Sequence, residues 1–181
     1  ELSITGYGCE DAFHSIDTAS RAMAHLTQIA QESRRILPGA LIFVGLPLRR
    51  HERTYNCMAA IYSGRIRGFT AKQNLAGDGV HYEPRWFSAF RGGLEHVTIE
   101  NEEIPFGSIL YNHAGARICV EICEDAWVVS RPAAQFIPAG LDLILNPAAS
   151  HFAFGKQRTR RHIALESSRS FAASFVMVNL L

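Results

Sequence analysis

An α/β fold built on a mixed sheet is predicted by three features of the sequence. A long stretch of helical periodicity leads into a run of apolar, β-branched residues. Two further strand-like runs are joined by Ser63-Gly64-Arg65, a hairpin signature. From Ala116 onward, strand and helix patterns alternate in a βαβαβ order, which requires parallel pairing. A hairpin and parallel crossovers in one chain make the sheet mixed.

Taken in order, Ser15 and Asp17 provide a helix cap, and Ala19, Ala22, Met23, Leu26, Ile29, Ala30 and Leu37 recur at helical spacing until Pro38-Gly39. Leu41 to Leu46 reads as a fully buried strand. Asn56 to Tyr62 and Ile66 to Thr70 form the hairpin. From Lys72 to Gly93 the pattern dissolves into a Gly-, Asn- and aromatic-rich loop, of a length that is usually functional. Gly107 to Tyr111 and Ala116 to Ile122 read as strands around the turn Asn112-His113-Ala114-Gly115. Ser130-Arg131-Pro132 opens a short helix with proline in its first turn. Leu141 to Leu145 is a strand, Lys156 to Ala172 a helix, and Phe175 to Leu181 a last strand. The basic run Arg158 to His162 at the start of that helix reads as a solvated face.

A chain of 181 residues fits one domain with a single core. A hydrophobic content of 48%, a charged content of 19% and a net charge of +1 give no case for a nucleic-acid or membrane partner. Cys9, Cys57, Cys119 and Cys123 show no metal-ligand spacing, so no metal is expected. No secretory leader or long apolar span is evident, and a reducing cytoplasm is the simplest setting. The chain starts at Glu1 and stops within a strand pattern, so it is expected to be the middle of a longer protein.

The chemistry centres on Val120 to Trp127. There the apolar run Ala116 to Val120 ends and Cys123 stands among Glu121, Glu124 and Asp125, at the C-terminal edge of a strand, where α/β sheets bind ligands. A lone Cys is more often a small buried hydrophobe than a nucleophile. A thiol with a pKa of about 8.5 also needs a base or a cation to form thiolate at neutral pH. Neighbouring carboxylates work against that, so both must come from elsewhere in the chain. With eight histidines a Cys–His pairing stays open, although no His sits in a stretch built for it.

Three stretches carry a resemblance. Glu121-Ile122-Cys123-Glu124-Asp125-Ala126-Trp127, the segment Ala71-Lys72-Gln73-Asn74-Leu75-Ala76-Gly77-Asp78-Gly79 leading to Tyr82-Glu83-Pro84-Arg85-Trp86-Phe87, and Glu1 to Asp11 together resemble the amidase domains of glutamine-dependent NAD synthetases. Those domains belong to the nitrilase superfamily. The similarity runs over essentially the whole chain, with the stretches in the family's order.

The resemblance implies a nitrilase-type α-β-β-α sandwich spanning residues 1–181 and incomplete at both ends, since the family has a strand, helix and strand before the position of Glu1 and more sheet after Leu181. It implies a Glu-Lys-Cys triad with Glu1 as general base, Lys72 as the cation and Cys123 as nucleophile, which answers the electrostatic question. By themselves Lys72 would pass for a surface lysine and Glu1 for a frayed terminal residue. Glu83 falls where the superfamily has a supporting glutamate, an ion pair with Arg85 being the alternative. Tyr7, Glu124, Trp127, Ser150 and Lys156 would line a pocket for glutamine: an anion for its ammonium, a cation and hydroxyl for its carboxylate, walls for its methylenes. The implied activity is hydrolysis of the glutamine amide through a Cys thioester. Ammonia would pass to a synthetase domain that makes NAD from deamido-NAD, and a homo-oligomer is expected. No cofactor is expected for the amidase part; ATP and Mg belong to the synthetase domain, which this chain lacks. A stand-alone amidase or nitrilase of the same superfamily, and a non-catalytic scaffold, are the rival readings.

Overall fold

Ser15 does what its position predicts. In the computed structural model, which describes residues 1–180, it sits in extended conformation and its side chain accepts a hydrogen bond from the Asp17 amide at 3.2 Å. That opens α1 (Ile16–Ile36), preceded by a 3₁₀ turn over Glu10–His14. Ala19, Ala22, Leu26, Ala30 and Ser33 form its buried stripe, at the three- and four-residue spacing of one helix face. Ile29 and Leu37, expected on the same face, are exposed. The helix stops at Leu37, and Gly39 follows with φ of +84°.

The chain divides into two units, Glu1–Ile109 and a second beginning at Leu110. In the first, α1 lies on β1 (Leu41–Arg50) and β2 (Arg53–Tyr62). These strands pair antiparallel from Leu41↔Tyr62 to Arg50↔Arg53. β1 therefore runs four residues beyond the expected Leu46, because the pairing with β2 continues across Pro47 to the tight turn at His51. β2 turns through Ser63 and Gly64, both at positive φ, into β3 (Arg65–Ala71). β4 (Leu94–Ile99) and β5 (Glu102–Gly107) form a hairpin, and β5 pairs parallel with β3, giving the order β1-β2-β3-β5-β4. The sequence reading has no strand over 94–99 and starts one at Gly107, where β5 ends. Leu46, Ile61, Phe69 and Phe106 are fully buried at the centre of this sheet's core.

Gly45 has a specific duty. The segment Glu1–Ile4 crosses β1 there: the Ile4 amide donates to the Gly45 carbonyl at 3.0 Å and the Gly45 amide to Ser3 Oγ at 2.9 Å. A side-chain carbon at position 45 would stand 2.4 Å from the Leu2 nitrogen, so only glycine permits this approach.

The second unit carries β6 (Tyr111–His113), β7 (Ala116–Val120), β8 (Leu143–Ala148), α2 (Lys156–Phe171) and β9 (Ser174–Asn179). β6 pairs antiparallel with β7; β7, β8 and β9 are parallel, as the βαβαβ pattern predicts. The expected last strand reached Leu181, which lies outside the described residues. The expected short helix after Arg131 is a 3₁₀ helix over Pro132–Ala139. Cys119, Ala133, Leu141, Ile144 and Ala173 form this unit's own apolar cluster. Among the described residues no helix is long and apolar enough to cross a membrane.

Gly45→Ala is expected to lower stability by about 1–3 kcal/mol through overlap with the Leu2 backbone. Denaturant unfolding checks this as a lower midpoint at unchanged slope. An unmoved midpoint would mean that segment 1–4 gives way without loss.

Candidate active site

β3 ends at Ala71, and the next residue, Lys72, is buried to 1%. Its backbone is fixed on both sides: the Lys72 amide donates to the Asn56 carbonyl at 2.9 Å, and its carbonyl accepts from the Phe90 amide at 3.0 Å. The ammonium Nζ then lies 2.7 Å from Glu1 Oε1 and 2.6 Å from Glu83 Oε2, both side chains being at most 3% exposed. Glu83 begins the 3₁₀ turn Glu83–Arg85 in the long loop, and its Oε2 also accepts from the Ala76 amide at 2.9 Å. Its partner is thus Lys72. Arg85, the alternative partner, is exposed and paired bidentately with Asp11 at 2.6 and 2.7 Å.

Two neutral side chains complete this cluster. The Tyr7 hydroxyl lies 2.6 Å from Glu1 Oε1 and 2.9 Å from Glu83 Oε1. Asn56, fully buried on β2, donates from Nδ2 to Glu1 Oε1 and Glu83 Oε1, each at 2.8 Å. Burial pushes the Glu1 carboxyl up, but the Lys72 ammonium and the hydrogen bonds from Lys72 and Tyr7 outweigh it and hold the group below its usual range. Burial and the charges of Glu1 and Glu83 push the Tyr7 phenol far above its usual range, so it remains a hydrogen donor.

In the second unit, Cys123 opens a 3₁₀ turn, Cys123–Ala126, where β7 has ended. Its φ is +48°, a left-handed conformation that costs a non-glycine residue about 1–3 kcal/mol and is concentrated at functional sites. The surroundings hold it there. The Asp125 carboxylate accepts from the Ile122 amide at 3.0 Å, and Asn146 Nδ2 donates to the Glu121 carbonyl at 2.6 Å and the Cys123 carbonyl at 3.3 Å. Glu121, read as one of the acids working against the thiol, is fully buried against the Arg131 guanidinium and accepts from the Ala133 amide at 3.0 Å. Arg131 also donates to Ser167 Oγ and stacks 4.6 Å from the Phe171 ring centre. Cys57 and Cys119 are buried strand residues whose thiols are pushed well up by burial, which leaves them inert.

Glu124 and Trp127 share the Cys123 turn, both half-buried. Ser150 follows β8; its amide donates to Asn179 Oδ1 at 2.8 Å and its carbonyl accepts from Arg160 Nη2 at 2.9 Å. Lys156 starts α2, with Nζ 3.2 Å from His151 Nδ1. Among the described residues no three His, Cys, Asp or Glu side chains gather as a metal site. The first unit thus brings together Glu1, Tyr7, Lys72 and Glu83, and the second holds Cys123, Glu124 and Trp127 on one turn. The sequence reading passed over Asn56 and Arg131. Asn56 had a signal: an amide inside a buried strand needs side-chain partners.

No model of a protein family matches the chain. Over 97% of its length it is 30% identical to a glutamine-dependent NAD(+) synthetase of Mycobacterium tuberculosis. A crystal structure of a glutamine-dependent NAD(+) synthetase from Cytophaga hutchinsonii superposes on the whole chain with a TM-score of 0.89 at 41% identity, using 29% of that chain. An amidase of the nitrilase superfamily from Nesterenkonia shares the fold over 98% of the chain, with a TM-score of 0.69 at 14% identity and 60% of that chain covered. The expected nitrilase-type α/β fold is therefore the observed one. The chain spans about a quarter of the length of the curated relatives it matches.

The Lys72 cluster should govern the pH dependence of stability. Because the Glu1 carboxyl is held below the ordinary value of 4.5, its contribution is fully present above that value and is lost as the pH falls through the depressed folded value. Lys72→Met leaves two buried carboxylates without their cation. It is expected to cost about 3–5 kcal/mol at neutral pH and to reverse the acid slope, with stability rising on acidification. Urea unfolding at several pH values checks both, and a parallel, merely lowered curve would contradict this electrostatic account.

Proposed function

We propose, from the chain's nitrilase-type fold and its similarity to glutamine-dependent NAD(+) synthetases, that it is their glutaminase part. The observation that carries the reading is the fully buried ammonium of Lys72 clasped by two carboxylates, in a chain whose only left-handed cysteine among the described residues opens the turn after a parallel strand.

In this reading Glu1 takes the proton of the Cys123 thiol. The thiolate attacks the side-chain amide carbon of glutamine, and Lys72 stabilises the oxyanion. The tetrahedral adduct collapses, its C–N bond breaking as the nitrogen receives the proton from Glu1, and ammonia leaves a γ-glutamyl thioester. Water, deprotonated by Glu1, then attacks the thioester and releases glutamate and the thiol. Glu83 keeps Lys72 charged and in place throughout. Glu124 takes the substrate ammonium, Ser150 and Lys156 its α-carboxylate, and Trp127 its methylenes. Tyr7 adds only its ring, because its hydroxyl is committed to the carboxylates. Ammonia would serve an ATP- and Mg-dependent synthetase region of the longer protein that converts deamido-NAD to NAD, and such a protein would work as a homo-oligomer in the cytoplasm.

In the full-length protein, Cys123→Ala is expected to abolish NAD formation from glutamine while sparing formation from added ammonium salts. Equal loss of both would remove Cys123 from the glutaminase. The substrate assignment has its own test, because the Lys156 contact lies at the far end of glutamine from the amide and is made about equally in ground and transition states. Lys156→Ala should raise KM for glutamine about ten- to a hundredfold, as for loss of a charge-assisted hydrogen bond. It should do little to a simple aliphatic amide. If the ratio of kcat/KM for the two substrates is unchanged, a broader amidase becomes the better reading.

A further inference from the structure

The carboxylate cluster has more acceptors than its neutral donors can serve at once. Tyr7 Oη is within hydrogen-bond distance of both Glu1 Oε1, at 2.6 Å, and Glu83 Oε1, at 2.9 Å, yet a hydroxyl carries one hydrogen. Asn56 Nδ2 carries two and faces three oxygens, the two carboxylates at 2.8 Å and Tyr7 Oη at 3.0 Å. Its orientation is not in question. Turning the amide over would set its oxygen against two carboxylates, and Oδ1 as it stands is buried with no hydrogen-bond partner. That unsatisfied acceptor is tolerated so that both N–H bonds can serve the cluster.

Two arrangements of the same atoms follow, differing by rotation of one O–H bond. While Glu1 is a carboxylate, the Tyr7 hydrogen belongs on the shorter contact, to Glu1. Once Glu1 has taken a proton, its oxygens accept less strongly and the hydrogen turns to Glu83, which remains a carboxylate on Lys72 and the Ala76 amide.

We propose that Tyr7, seated by Asn56, is a positioning residue for the general base, its hydroxyl hydrogen turning between Glu1 and Glu83 as Glu1 gains and loses a proton. This rests on the reading of Glu1 as the base. The proton comes from the thiol, whose S–H bond breaks with the electron pair left on sulfur; the Tyr7 O–H bond stays intact. The charged groups around Glu1 include Lys72 at the end of β3 and Glu83 from the 3₁₀ turn, and Tyr7 and Asn56 on β2 are neutral donors to it. Removing either should make the Glu1 carboxylate harder to form.

The test uses full-length protein carrying Tyr7→Phe, which keeps the ring and removes the hydroxyl. Two readouts are taken: the acid limb of kcat/KM for glutamine, and an infrared titration of protein labelled with ¹³C in its glutamate carboxyls, the Glu1 band being the one missing from Glu1→Gln. Both midpoints are expected to rise by about one to two pH units, as for loss of one hydrogen bond to a charged acceptor. Asn56→Leu, the second variant if the first does not fold, should move the infrared midpoint in the same direction. An unmoved Glu1 midpoint in the infrared titration overturns the proposal. So does a rise in KM with the acid limb in place, which would make Tyr7 a substrate contact. If the wild-type protein does not hydrolyse glutamine, the functional reading fails, and the infrared midpoint still decides for or against the bridge.

Discussion

The first unit is organised around one buried cation. An ammonium and two carboxylates taken out of water would each cost several kcal/mol alone, and they are tolerated only because the donors are satisfied in fixed places. That requirement reaches back into the fold. Lys72 extends the β2–β3 register by one step past Cys57↔Ala71, so its amide meets the Asn56 carbonyl and the Asn56 side chain meets the carboxylates that its ammonium attracts. Glu1 gets its place from the crossing over Gly45, and Glu83 from a loop anchored by the Ala76 amide. Three separated parts of the chain therefore converge on a position where an error in any one would leave a charge buried without its partner.

The second unit faces a similar problem at its cysteine turn and solves it by removing charges from the scene. Read as a string, Glu121-Ile122-Cys123-Glu124-Asp125 surrounds the thiol with acid. In the folded chain Glu121 is neutralised by Arg131, whose guanidinium is itself held by Ser167 and two phenylalanine rings, and Asp125 is used as a cap for the Ile122 amide. These acids serve as scaffold for a strained backbone. The positive φ of Cys123 persists because Asn146 and Asp125 fix the peptides on either side of it.

Much of this was legible in the sequence where a periodic pattern carries the signal. The α1 stripe, the β2–β3 hairpin and the parallel β7-β8-β9 set follow from spacing alone. The β4–β5 hairpin was not, because its strands are rich in charged and polar residues and expose alternate positions; the Val97 and Ile99 alternation and the Glu100-Asn101 turn were its faint marks. The site divides in the same way. Glu1, Lys72 and Glu83 entered through motif resemblance, since one lysine or one glutamate has no periodicity to announce it, whereas Cys123 was marked by the end of its strand pattern. Asn56 and Arg131 went unnoticed because their partners, Glu1 and Glu83 for one and Glu121 for the other, lie 10 or more residues away. Gly45 was visible as a glycine inside a buried strand, but what approaches it depends on how segment 1–4 folds back.

In the proposed reading of Glu1 as the base, the need for a second glutamate follows from charge balance over a cycle. A base must hold a proton for part of each turnover, and a lysine with one carboxylate partner would then be left buried and uncompensated just when the oxyanion is its task. With Glu83 present, protonation of Glu1 takes the cluster from a net charge of −1 to zero, because Lys72 and Glu83 remain paired. The negative state is the one that needs help, and it is the state in which Lys72, Tyr7 and Asn56 all converge on Glu1 Oε1. Neither protonation state of the base strands a buried charge. The cation can stay in one place while the proton moves, and that fixed position is what stabilising a transient oxyanion requires.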